Sequence, residues 1–120
     1  MKTAIANKKL EDLIKKVEKE GIEAKGLVDD LKALRETAKK EEDPLVTKVL
    51  RLMYEFLEEN KAFGVEGQYD EDEEGSEYPI PVEDEKENLL YLLNLLMQAE
   101  HKINREEIKD YRTALKTSLY

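Results

Sequence analysis

Apolar side chains at Leu10, Leu13, Ile14 and Val17 recur every three to four residues, the spacing that lines one face of an α-helix. Lys8 with Asp12, Glu11 with Lys15 and Lys16 with Glu20 supply i,i+4 pairs for the outer face, so a first helix is predicted over about residues 3–20. Gly21 is its natural stop, because glycine accepts the left-handed backbone common at helix ends. Leu27, Val28, Leu31, Leu34 and Ala38 form a second stripe, predicting a helix over about 22–42 whose start Gly26 blurs. Asp43-Pro44 then reads as a start signal. Aspartate can cap free N–H groups, and proline at the first helical position lacks a donor that would be idle there anyway. The third helix, about 44–60, has Leu45, Val49, Leu52, Met53, Phe56 and Leu57 facing inward.

From Ala62 to Pro81 the helical period disappears and Gly64, Gly67 and Gly75 interrupt the chain. Phe63, Val65 and Tyr69 keep one alternation, and Tyr78, Ile80 and Val82 keep another, so the connection over 62–82 is either a loop or a small β-hairpin with a DEDEEG turn. Pro79 and Pro81 do not forbid the hairpin. Two residues apart, they place both missing N–H groups on one edge and leave the other free to pair.

The pattern changes again in NLLYLLNLLMQAE. Leu89, Leu90, Leu92, Leu93, Leu95, Leu96 and Met97 cover far more than one side of a helix over about 84–101. Such a helix is either central in a bundle or shared with another subunit, which makes Leu89, Leu90, Leu92, Leu93, Leu96 and Met97 candidate self-association residues and a homo-oligomer the expectation. The last helix, about 105–117, reads as a capping box of Asn104 and Glu107 with Ile103 and Ile108 as a hydrophobic staple. Ile108, Tyr111 and Leu115 face inward, while Arg105, Lys109, Arg112 and Lys116 form a basic stripe. The architecture predicted is all-α: one domain over 1–120, a compact bundle of five helices with one long connection.

Charge sharpens the picture. The 120 residues carry a formal charge of −9, yet residues 66–87 hold eleven acids and one lysine, net −10, and the rest is close to neutral. With 40% apolar residues in regular clusters, the composition is that of a folded chain with one acidic segment. Phosphate binding depends on an unopposed basic surface, so direct nucleic-acid binding is not expected. Cysteine is absent, which removes disulfides and thiolate chemistry, and no apolar run approaches a membrane span. A cytoplasmic protein without membrane contact is the expectation.

Candidate chemistry is sparse, and neither a cofactor nor a metal is expected. Asp70, Asp72, Glu74 and Gly75 match positions 1, 3, 5 and 6 of an EF-hand loop, but position 12, which needs a bidentate glutamate, is Pro81. The one histidine, His101, lies near a helix end, and residue 98 is Gln where a di-iron bundle needs Glu. Glu55 with Glu58 and Glu107 with Asp110, at i,i+3 spacing, resemble the paired acids that hold magnesium in all-α nucleotide pyrophosphatases. That resemblance implies a magnesium-dependent phosphohydrolase. The chain departs from the family pattern at Tyr54, where a further acid belongs, and Arg51 can pair with Glu55.

The reading that uses most of the sequence is a non-enzymatic protein–protein interaction module. Its acidic connection, through Tyr69, Asp70, Glu71, Asp72, Glu73, Glu74, Glu77 and Tyr78, would select a partner protein with a basic surface. The basic stripe of the last helix could also receive these acids within one molecule or across a dimer. A different class, an acidic mimic that occupies a nucleic-acid-binding protein, would use the same carboxylates.

Overall fold

A computed structural model describes all residues, Met1 to Tyr120. Five helices follow one another: α1 (Ala4–Glu20), α2 (Leu27–Lys40), α3 (Pro44–Asn60), α4 (Glu85–Met97) and α5 (Lys102–Leu119). Between α3 and α4 two short strands, β1 (Tyr69–Glu71) and β2 (Glu77–Pro79), pair antiparallel. The all-α bundle predicted from the period is the fold observed, and the excursion takes its hairpin form rather than that of a loop without pairing.

Helix ends follow local chemistry. The Thr3 hydroxyl accepts from the Ala6 N–H at 3.1 Å to start α1, and Gly21, at φ +76°, ends it. A single 3-10 turn, Gly21–Glu23, and Gly26 at φ +78° intervene before α2, which therefore starts with its stripe at Leu27, five residues after the start expected near Ile22. The Asp43 carboxylate accepts from the Val46 N–H at 3.2 Å, the cap that Asp-Pro announced. Asp84 accepts from Lys86 and Glu87 N–H groups at the head of α4. At the other end of α4 the Met1 amine donates to the carbonyls of Leu96 and Met97, which a helix end would otherwise leave unpaired.

The start of α5 differs from expectation. The helix begins at Lys102 with His101 at the N-cap and no side-chain cap bond, so the Asn104–Glu107 capping box does not form. Asn104 instead reaches back to the Gln98 carbonyl, Glu107 accepts from the Tyr91 hydroxyl, and Ile103 stays 77% exposed. The motif has the right letters, but α4 stops at Met97 and leaves a turn short enough that helix geometry resumes before Asn104.

The helices pack as a closed ring: α1 on α2, α2 on α3, α3 on α5, α5 on α4, and α4 back on α1. One continuous cluster of 31 buried hydrophobic residues fills it. This arrangement explains the leucines of α4. The helix is flanked by α1 and α5, touched by the 3-10 turn, and covered by Phe63 to Val65, whose carbonyls accept from Asn88. Leu89, Leu90, Leu92, Leu93, Leu95 and Leu96 are all buried within the single chain, and Met97 is half-buried. The core of a single chain thus accounts for the α4 leucines, because its own elements cover several sides of the helix. No helix is long and apolar enough to cross a membrane.

Candidate functional site

The acidic hairpin stands on a buried root. Phe63 packs edge-to-face on Phe56, ring centroids 5.9 Å apart, and its N–H donates to Glu85. The Asn88 amide donates to the carbonyls of Phe63 and Val65 at 3.0 and 2.8 Å, and the Tyr111 hydroxyl donates to Asn88 Oδ1 at 2.7 Å. Gln68 Nε2 completes the chain by donating to the Tyr111 hydroxyl at 3.1 Å. An asparagine only 4% exposed is tolerable because its amide is so fully bonded. Burial raises the Tyr111 phenol far above its ordinary range, so it stays neutral. Gly67 lies flat on the same ring; a Cβ there would come within 2.4 Å of a Tyr111 ring carbon, so only glycine lets the strap pass.

Above this root Tyr69 pairs with Pro79, Asp70 with Tyr78 and Glu71 with Glu77. The Ile80 N–H donates to the Gln68 carbonyl at 2.8 Å, which turns Pro79 and Pro81 to the outer edge, as their spacing predicts. The tip is closed by Asp72. Its Oδ1 accepts from the N–H groups of Glu74 and Ser76, both at 2.9 Å, while Gly75 takes φ +82°. An Asx-type turn ending in left-handed glycine is a standard way to reverse a hairpin.

Register decides what each face shows. Tyr69, Glu71, Glu77 and Pro79 share the face toward α5, where Tyr69 and Pro79 border a cleft with Val65, Thr113 and Ala114. Gln68, Asp70, Tyr78 and Ile80 share the other. Tyr69 and Tyr78 remain 44% and 45% exposed. All of the candidate partner-binding residues, Tyr69 to Glu74, Glu77 and Tyr78, are thus on one exposed ribbon.

The charge on this ribbon is unopposed. No lysine or arginine of the chain lies within 4 Å of any carboxylate in residues 66–87. The basic stripe does not receive it, which corrects the intramolecular pairing considered from sequence. Arg105 grips Asp43 through two bonds of 2.7 and 3.1 Å and also donates to the Ala99 carbonyl; Lys109 sits 3.4 Å from Glu106; Arg112 and Lys116 have no carboxylate partner. The part of α5 that Glu77 does approach carries Asp110, whose carboxyl is pushed up by burial and then by the charges of Glu77, Glu106 and Glu107.

The remaining candidates are dispersed. Glu55 accepts from the Tyr120 hydroxyl and faces Arg51, Glu58 faces Lys32 at 3.8 Å, and Glu107 holds Tyr91, so the two acid pairs of the pyrophosphatase resemblance are engaged separately. No group of three or more His, Cys, Asp or Glu is placed to hold a metal ion. Sequence reasoning did not find the Asn88–Tyr111–Gln68 chain. The only signal was an amide at the head of a leucine run, and its partners lie 23 residues or more away. Compared with models of protein families, with curated proteins and with solved structures, the chain matches none of them.

Proposed function

We propose that this chain is a non-enzymatic binding module that presents its acidic hairpin to a partner protein with a basic surface. The observation that supports the reading is the concentration of eleven carboxylates in residues 66–87, with no cation of the same chain beside any of them. Like charges gathered on one segment repel, and apart from the bonds that Asp72, Asp84 and Glu85 accept from backbone N–H groups, folding gains little from them where no counter-charge is supplied. A partner gains instead: an unscreened negative ribbon steers a cationic surface into encounter and orients it on arrival. Tyr69 and Tyr78, amphipathic and half-exposed, add contact area with little entropy to lose. A chain without cysteine is at home in the cytoplasm, where such a partner would be met.

The test uses the full chain beside a variant carrying Glu71→Gln, Glu73→Gln, Glu74→Gln and Glu77→Gln. Asp72 is kept, since its carboxylate closes the turn. Against lysine- and arginine-rich peptides, the native chain should bind with an affinity that falls as salt rises from about 20 to about 200 mM. The variant, at unchanged helical circular dichroism, should bind at least about tenfold more weakly, each lost charge pair being worth a few tenths to 1 kcal/mol. Equal affinity of the two proteins would overturn the reading.

A further inference from the structure

Downstream of β2 the chain runs past the head of α4 and leaves a groove of about 490 Å³. Ile80, Val82 and the ring of Tyr91 form its apolar lining, Gln68 and Asn88 its more buried polar lining, and the exposed Glu83, Asp84 and Glu87 border it as a rim. Ile80 and Tyr91 are 39% and 36% exposed. Glu87 and Tyr91 are i,i+4 on α4, neighbours on the helix surface, so a carboxylate flanks the aromatic face. Tyr91 is also held in place. Its hydroxyl donates to Glu107, and its ring lies 6.4 Å from that of Tyr111 at a tilt of 35°. Burial and that bond push the phenol up to about 12, so the ring stays neutral throughout the physiological range.

Two occupants are disfavoured by chemistry on the same surface. A second copy would bring the same carboxylates against this rim. A strand added to the outer edge of β2 would meet Pro79 and Pro81, which have no N–H to donate. What complements an apolar strip of Ile80 and Val82, a fixed aromatic ring and adjacent carboxylates is a planar cation on an aliphatic stem. Resting on the docking function proposed above, we infer that the groove receives an arginine side chain of the partner protein. Its stem lies along Ile80 and Val82, and its guanidinium stacks on Tyr91 with Glu87 as counter-ion. Lysine carries the same charge but neither the planar face nor the two-pronged donor geometry that a ring beside a carboxylate rewards. The hairpin thus attracts positive charge in general, and the groove selects its kind.

Two labelled peptides of equal length and charge, one with arginine and one with lysine at every basic position, separate these roles. The native chain should bind the arginine peptide about three- to tenfold more tightly, the range expected of a cation stacked on an aromatic ring. Tyr91→Leu and Glu87→Gln should each remove that preference; the Glu87 carboxylate makes no hydrogen bond or ion pair within the fold, so its substitution leaves the structure intact. The hairpin variant of the preceding section should lose affinity for both peptides while keeping the preference. Amide shifts induced by the arginine peptide should include Ile80 to Glu87 and Tyr91. Equal affinity of the native chain for both peptides, or a preference that survives both groove variants, overturns the inference and leaves the docking function standing. Failure of both peptides to bind at low salt overturns both readings.

Discussion

Asp43 serves two elements at once. One oxygen caps α3 through the Val46 N–H, and both oxygens take the Arg105 guanidinium, 62 residues away, at the head of α5. The cap was legible, because Asp-Pro is a local signal; the arginine was not, because nothing near residue 43 encodes which helix will arrive there. Burial works against the charged form of Asp43, but the bonds from Arg105 and Val46 outweigh it and hold the carboxyl below its ordinary value. The sign of the pH effect follows. A carboxyl depressed in the folded state contributes its full stability above the ordinary carboxylate range, near pH 4, and loses it as pH falls through the folded value. Asp43→Asn keeps a competent cap and loses the charge pair. Urea unfolding should show it less stable than the native chain by about 2 kcal/mol at pH 7, with the gap closing below about pH 4.

At the scale of elements, the hairpin is held by its root more than by its strands. Three residues a side, all exposed, cannot hold a hairpin in water alone. The Asn88–Tyr111–Gln68 bonds and the Gly67 passage over Tyr111 supply what the strands lack. Tyr111→Phe, which leaves Asn88 Oδ1 and Gln68 Nε2 without their partner, should cost about 1–3 kcal/mol. Hydrogen exchange should quicken at Gln68 and Ile80 beyond the global change. Gly67→Ala should cost a similar amount by forcing a methyl group into the Tyr111 ring. If exchange in the hairpin is unchanged in both variants, the root does not hold it. The alternations around Phe63 and Ile80 and the spacing of the two prolines made the hairpin readable, whereas its anchor required α4 and α5 to be in place.

For the whole molecule, the decisive element is α4. Its leucines suggested either the centre of a bundle or a seam between copies, and in the closed ring of helices they are packed inside one chain. Leu93→Ala should therefore behave as a core truncation. Stability should fall by about 2–5 kcal/mol while the sedimenting mass stays that of the native protein, since Leu93 is fully buried in one chain. A change of mass with little loss of stability would return the helix to an interface. The sequence by itself determined the five helices, their inward faces, the cap at Asp43, and the confinement of surplus charge to one connection, because period, capping and composition act over a few neighbouring residues. Only the tertiary structure decided that the leucines of α4 are consumed internally, that Arg105 is bound while the acidic hairpin meets no cation, and that Glu87 and Tyr91 border a groove with Ile80. Those outcomes depend on which distant surfaces meet, and contact between residues 20 to 60 positions apart leaves no pattern along the chain.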